Sequence, residues 1–235
     1  MQLKQNVVED YINGKSLSKL SQETGINIGT LRYSLQKLGI PIRSISEGVN
    51  IYLRDKGKDD VQLSSTNQQI LIGNLLGDGS LRKLVKRALY THTDKNYEYV
   101  EWLKNEFKKD NITFQEVRQS ENKCFALESH VFSCFNDFYD LFYPNRKRVV
   151  PENIELTPLV LRQWYISDGS VCSHKGLKLA KMEYNKSLLE QLRKHIGQEC
   201  TRQLESYYIP KSLRFAFIDY IGECPTKCYE YKWDI

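Results

Sequence analysis

The chain has 235 residues, 40% hydrophobic and 27% charged, with a formal net charge of +5 and a sequence pI near 8.7. That length buries a sizeable core and holds one large or two smaller domains, and mild basicity is compatible with a nucleic-acid partner without demanding one. No apolar run reaches the ~18 residues of a membrane span. The polar start Met1 to Glu9 has no signal-peptide character, and the six cysteines (Cys124, Cys134, Cys172, Cys200, Cys224, Cys228) show no disulfide framework and read as reduced thiols.

Val7, Val8, Tyr11 and Ile12 form an apolar stripe at helical spacing, which Asn13-Gly14 interrupts. Ser16 is a good N-cap for a second short helix carrying Leu17 and Leu20, ended by Thr24-Gly25. Asn27 caps a third, Ile28 to Leu38, stopped by Gly39 and Pro41. Three short helices with a glycine turn before the last read as a helix-turn-helix over residues 1–45, similar to the DNA-binding helices of the resolvase and homeodomain-like superfamily. Ile28 to Lys37 is then the recognition helix: Leu31, Leu35 and Leu38 face a small core, and Arg32, Tyr33 and Gln36 point outward to bases or phosphates. A small helical interaction module is the alternative. Residues 46–65, with the mixed charges of Arg54 to Asp60, read as a solvated linker.

Two stretches then organise the remainder. Leu71-Ile72-Gly73-Asn74-Leu75-Leu76-Gly77-Asp78-Gly79 is an apolar helical run closed by an acid between glycines, and Leu161-Arg162-Gln163-Trp164-Tyr165-Ile166-Ser167-Asp168-Gly169 echoes it 90 positions later (168 − 78). Gly73 and Gly77 share one helix face, and a glycine inside a helix costs roughly 1 kcal/mol relative to Ala, so two on one face imply a closely approaching backbone. Helices crossing there bring Asp78 and Asp168 together at their C-terminal ends. Two carboxylates facing the negative ends of two helix dipoles repel unless a cation lies between them, and oxygen-only ligation suits Mg²⁺. A plain C-cap turn is the alternative for either Asp-Gly taken singly.

The first stretch resembles the LAGLIDADG motif of homing endonucleases at Leu71, Gly73, Leu75, Gly77, Asp78 and Gly79, and the second resembles the divergent second motif of single-chain members. The departures are Gln163 and Ser167, where the pattern has glycines, so helix contact is expected to be looser or offset in the second half. The resemblance covers roughly residues 64–235. It implies a duplicated α+β fold with pseudo-twofold symmetry, antiparallel DNA-binding sheets packed by helices, and one acid per motif beside the scissile phosphates of double-stranded DNA.

The first half, 66–150, carries strand-like runs at Ser80 to Lys86 and Ala88 to Thr93, a helix from Asn96 to Lys108, strand-like runs at Ile112 to Gln119 and Lys123 to Ser129, and a helix from Val131 to Tyr143. The second half, 151–235, repeats the order, with a motif helix after Thr157-Pro158, strand-like runs at 170–174 and 177–183, a helix from Lys186 to Ile196, and strand-like runs at 199–208 and 212–221. A tail from Gly222 replaces any long final helix. Polar sheet faces bearing Arg82, Lys83, Lys86, Arg87, Gln115, Arg118, Gln119, Lys178, Arg202 and Arg214 are suited to reading base edges; a merely solvated face is the alternative.

The resemblance further implies a catalytic basic residue in each half. The matching positions are Arg148, with Lys147 as competitor, and Lys232; ordinary phosphate-facing charges are the alternative. His92 is a candidate for organising active-site water, or for a helix-entry hydrogen bond. The metal-ligand set is Asp78 and Asp168, with the Gly77 and Ser167 carbonyls as extra ligands for Mg²⁺, which Mn²⁺ can replace. No zinc is expected at Cys224 and Cys228, which lack a second tight pair. The implied function is a monomeric, site-specific double-strand DNA endonuclease leaving short 3′ overhangs on a long asymmetric target. It would work in the cytoplasm at the nucleoid, or in an organellar matrix if organelle-encoded. A regulator or intron maturase on the same scaffold is the alternative.

Overall fold

The computed structural model describes residues 3–44, 47, 51, 61–172, 176–179, 185–203 and 206–234. The charged run Arg54 to Asp60 and parts of the strand-like runs at 170–174, 177–183 and 199–208 lie outside them. Two compact units divide the chain, Met1–Val61 and Gln62–Ile235.

The first unit is all-α: α1 (Gln5–Ile12), α2 (Leu17–Thr24) and α3 (Ile28–Lys37). Ser16 accepts the Lys19 N–H as the N-cap of α2, Gly25 ends that helix at φ 70°, and Asn27 Oδ1 accepts the Gly29 N–H at 2.8 Å. Leu3, Val7, Tyr11, Leu20, Leu31 and Leu35 make the core. Leu38, expected there, is 52% exposed, because it is the C-cap of α3 and falls off the helix face. The Arg43 guanidinium lies 3.9 Å from the Tyr11 ring centre and fastens the segment after α3 to α1.

The second unit is α+β. Its first half runs α4 (Ser65–Leu76), β1 (Ser80–Leu84), β2 (Arg87–Asp94), α5 (Tyr97–Lys108), β3 (Arg118–Gln119), β4 (Phe125–Glu128) and α6 (Asn136–Phe142). Its second runs α7 (Pro158–Asp168), β5 (Ser170–Val171), β6 (Leu177–Leu179), α8 (Lys186–His195), β7 (Thr201–Gln203), β8 (Ser206–Ile209) and α9 (Arg214–Ile221). The two antiparallel sheets have the same strand order, β1-β2-β4-β3 and β5-β6-β8-β7. Helix, hairpin, helix, hairpin, helix therefore occurs twice.

That symmetry exceeds the sequence expectation. Residues 212–221 are not a strand: Lys211–Leu213 forms a 3₁₀ turn and α9 follows. The apolar run Phe215-Ala216-Phe217-Ile218 masks a helical spacing, since the buried residues are Arg214, Phe217 and Ile221. The helix expected from Val131 begins later, because Phe132 pairs with Ala88 as a β-bridge; a 3₁₀ turn at Ser133–Phe135 then leads into α6. Only Arg118–Gln119 of the Ile112 to Gln119 run is a strand, with Phe114 bridging Ser129.

The motif helices α4 and α7 occupy the centre. Ser64 caps α4 and Thr157 caps α7, with Pro158 in its first turn. Both helices are buried nearly all round, as central helices must be. The Asp110 carboxylate accepts from the Ser64 N–H and from Asn67 Nδ2, both at 2.7 Å, tying the start of α4 to the end of α5.

Candidate active site

Equivalent positions face each other across the two central helices. A Cβ placed on Gly73 would stand 2.5 Å from both Gln163 Cβ and the Val160 carbonyl oxygen, and one on Gly77 would overlap Ser167 Cβ. Gln163 and Ser167 lie 90 positions after Gly73 and Gly77 (163 − 73, 167 − 77). The crossing is therefore tight, contrary to the looser contact expected from these departures. The small size of the first-half residues compensates for the larger ones opposite.

Gln163 is fully buried. Its Oε1 accepts the Tyr99 hydroxyl at 2.7 Å, the same hydroxyl lies 3.3 Å from Asn74 Oδ1, and Ser167 Oγ lies 3.4 Å from that oxygen. Asn74, Tyr99, Gln163 and Ser167 thus form a polar seam through an apolar interface. Gln163→Ala is expected to leave the Tyr99 hydroxyl with only its longer partner and to open a cavity, costing about 2 kcal/mol; urea unfolding reads the loss.

At the C-terminal ends of these helices stand Asp78 and Asp168. Desolvation raises the Asp168 pKa, the Asp78 charge raises it further, and Arg148 and Lys232 oppose both. Asp78 is raised first by desolvation; His92 lowers it, Asp94 raises it, and Lys232 and Arg148 lower it. Each helix end is also held by one cation. Arg148 Nη2 donates to the carbonyls of Leu75 and Gly77 at 2.6 and 2.7 Å. Lys232 Nζ donates to those of Tyr165, Ile166 and Gly169 at 3.2, 2.6 and 2.8 Å. A cation at a helix C-terminus meets the negative end of the dipole. Lys232 is buried, which draws its pKa down to about 8 against the opposing pull of Asp94, Asp168 and Asp78. Lys147 and Arg148 are both exposed, and it is the Arg148 guanidinium that reaches the end of α4.

His92 lies on β2 and is 1% exposed. Its Nε2 is 3.7 Å from Asp94 Oδ2, beyond hydrogen-bond length, and neither ring nitrogen is hydrogen-bonded. It makes no helix-entry hydrogen bond and does not open to solvent; it packs 5.6 Å from the Tyr99 ring. Asp94, unmarked in the sequence, is the better-connected group. Burial raises its pKa, but His92, the Tyr229 hydroxyl and the Asn96 N–H outweigh that and hold it below the usual carboxylate value. Among the described residues no three His, Cys, Asp or Glu side chains form a metal cage. The two acids do fit a hard divalent ion by their chemistry, being carboxylates destabilised as anions by burial and, at Asp168, by a like charge. The Gly77 carbonyl is already engaged by Arg148. Cys224 Sγ and Cys228 Sγ instead contact the Thr226 carbonyl and hydroxyl, at 3.1 and 3.4 Å.

The sheet residues divide by register. Arg82 is exposed and lies 3.6 Å from Glu128, whose carboxylate accepts from Gln115; Gln115 in turn accepts from Arg118 at 3.1 Å. This linked polar row occupies one face, with Gln119 exposed beside it on β3 and Lys86 exposed at the hairpin turn. Lys83 points to the other face and pairs with Asp140. Arg87 is buried because the turn falls at Val85-Lys86, leaving Arg87 inside β2. Arg214 is buried as well, because its segment is a helix. Lys178 lies opposite Ser170 and Tyr208, whereas Arg202 is exposed on edge strand β7 opposite the buried Tyr207. Arg32, Tyr33 and Gln36 are exposed on α3.

Residues 68–203, more than half of the chain, match the LAGLIDADG DNA endonuclease family. The chain belongs to that family. It is 30% identical over 139 residues to the cytochrome b mRNA maturase bI2 of Debaryomyces hansenii, covering 53% of either chain. An uncharacterized protein of Methanocaldococcus jannaschii is 27% identical over 162 residues, 61% of this chain and 63% of that protein. The matched region thus spans less than two thirds of either relative. The fold resembles that of the homing endonuclease I-WcaI bound to its DNA recognition sequence, with a TM-score of 0.63 at 21% identity over 84% of this chain and 96% of that one. It also resembles I-DmoI in complex with DNA and Mn, with a TM-score of 0.51 at 17% identity over 68% and 98%. The matched residues include most of α4, all of α7 and the strands β1 to β7. No helix among the described residues is long and apolar enough to cross a membrane.

The sequence missed Asn74, Asp94, Tyr99 and Tyr229. Asn74 carries a signal, as a polar residue inside an apolar motif. The other three are recognisable only once the fold brings them together.

Proposed function

We propose that the chain is a site-specific double-strand DNA endonuclease, hydrolysing one phosphodiester per strand and leaving short 3′ overhangs. The observation that carries this reading is the meeting of Asp78 and Asp168 at the ends of two helices packed glycine to side chain, each end flanked by a cation. Asp78 and Asp168 would hold Mg²⁺ or Mn²⁺, and a metal there supplies charge stabilisation and an activated water. Lys232 and Arg148 keep the two helix ends, and with them the two acids, in place. Their charges lower the repulsion at the centre and favour the anionic phosphate.

Arg82, Gln115, Arg118 and Gln119 on the first sheet, with Lys86 at its hairpin and Lys178 and Arg202 on the second, would contact a long asymmetric target bound by one chain, organised as halves 66–150 and 151–235. The helices of residues 1–45 would act as a helix-turn-helix adding contacts through Arg32, Tyr33 and Gln36 on α3. Such a protein would work wherever its DNA lies, in a nucleoid or an organellar matrix.

The test is cleavage of a randomised duplex library with Mg²⁺, with and without chelator. Discrete chelator-sensitive cuts with 3′ overhangs support the reading, and their absence rejects it. Arg118→Ala is expected to weaken duplex binding and, if the contact is to phosphate, to lower the salt slope of log K by about 1; titrations at several salt concentrations measure it.

A maturase is the second reading, favoured by the similarity to the D. hansenii maturase. Specific binding of a structured intron RNA, with no cleavage of any duplex, would select it.

A further inference from the structure

The segment from Cys224 to Asp234 spans both halves. The Glu98 carboxylate of α5 accepts the N–H groups of Lys227 and Cys228 at 2.9 and 3.1 Å, capping the start of a 3₁₀ helix, Lys227–Lys232. The Tyr229 hydroxyl donates to Asp94 Oδ2 at 2.6 Å, and its ring meets the Tyr99 ring edge-on at 5.3 Å. All three partners belong to the first half. The far end of the segment belongs to the second: Lys232 Nζ donates to three carbonyls at the end of α7, the Tyr165 hydroxyl donates to the Lys232 carbonyl at 2.9 Å, and Trp233 packs 5.5 Å from the Tyr165 ring.

A 3₁₀ helix has three residues per turn, so residues three apart eclipse. Tyr229 and Lys232 are three apart, and the Lys232 ammonium stands 5.0 Å above the Tyr229 ring. Six residues is also long for a 3₁₀ helix, whose runs seldom exceed about four. Contacts at both ends must therefore hold it. Where the ammonium stands depends on where the first half grips the strap.

We propose that Asp94 and Tyr229 are positioning residues: their hydrogen bond fixes the strap 224–233 to the first half, and so sets the place of the Lys232 ammonium at the second motif. This rests on the nuclease reading for its catalytic consequence, but not for its structural one. It also assigns Asp94 a purpose that neither metal binding nor duplex contact requires of it. The two halves are then coupled at their active ends by a grip separate from the motif-helix crossing.

The test compares wild type with Tyr229→Phe, Lys232→Met and the double variant. Tyr229→Phe keeps the ring and removes only the hydroxyl. On a selected target, single-turnover cleavage by Tyr229→Phe is expected to fall about tenfold, the equivalent of one hydrogen bond, with the Kd for the duplex in Ca²⁺ unchanged. In the Lys232→Met background the same change is expected to have no further effect, because its target is gone. A purely structural Tyr229 would instead slow both backgrounds alike, and that result, or no slowing in either, overturns the proposal. Should wild type not cleave, the nuclease reading falls and a second readout decides the strap. Acetylation of Lys232 by acetic anhydride, which releases acetate as the amide forms, followed by mass spectrometry, is expected to be faster in Tyr229→Phe and in Glu98→Gln than in wild type, with other lysines unaffected. Equal rates at Lys232 overturn the proposal.

Discussion

Asp168→Asn is expected to abolish metal-dependent cleavage while raising thermal stability. Losing one of two carboxylates removes several kcal/mol of charge organisation at the reacting phosphate, a fall of about 10³-fold or more in rate. Stability moves the other way. The Asp168 carboxyl is raised above its ordinary 3.8 by desolvation and by Asp78. A carboxyl with a higher pKa folded than unfolded binds its proton more tightly in the folded chain. The stability it contributes is therefore present at low pH and lost as pH rises from 3.8 through the raised folded value. At neutral pH the wild type carries the full unfavourable anion, and Asn does not. The expected result is an inactive variant with a higher Tm at pH 7 and little difference near pH 3, with duplex binding retained. Scanning calorimetry at both pH values, beside a cleavage assay, reads it. Retained cleavage would remove Asp168 from the chemistry, and an unchanged Tm at pH 7 would mean the two acids do not strain one another.

Gly73→Ala is expected to be among the most damaging single-methyl changes available. Alanine in place of glycine ordinarily favours a helix by roughly 1 kcal/mol. Here the added carbon would stand 2.5 Å from a backbone oxygen of the facing helix as well as from Gln163 Cβ. Overpacking costs about 1–3 kcal/mol, and a backbone neighbour places this site at the upper end, because it cannot rotate away. The net loss is about 2 kcal/mol, or about 4–8 °C in Tm for a chain of this size. Forcing the helices apart also separates Asp78 from Asp168, so cleavage is expected to fall more than stability alone explains. Calorimetry and single-turnover cleavage on one preparation test both, and an unaltered Tm would show that the helices are not in close contact.

Much of this architecture was legible in the chain. The helix caps Ser16 and Asn27 are local signals, each caps the helix it precedes, and Pro158 opens α7 where the Thr157-Pro158 pair marks its start. Gly73 and Gly77 announced a close approach that is present. What failed were segments whose period is hidden by composition. Arg214 to Ile221 is rich in aromatic and β-branched residues and reads as strand, although its buried positions are helical. Arg87 is adjacent to a turn whose exact position decides between exposure and burial. The period-two alternation along β1 put Lys83 on the opposite face from Arg82, so the two could not serve one polar face together. Within the site, Asp78, Asp168, Arg148 and Lys232 could be named from motif and position. Tyr99, Asp94 and Tyr229 could not, because their partners are 64, 135 and 135 residues away in the chain.

The unequal contact of Gly73 with Gln163 also determines which halves can pair. Two copies of the first half, placed about a true dyad, would set glycine against glycine and leave each Tyr99 hydroxyl without the Gln163 acceptor it has here. Two copies of the second would drive glutamine into glutamine at a spacing with room for one. The crossed pairing seats one glutamine against one glycine and satisfies the hydroxyl. Across this crossing each half supplies what the other lacks, room on one side and an acceptor on the other.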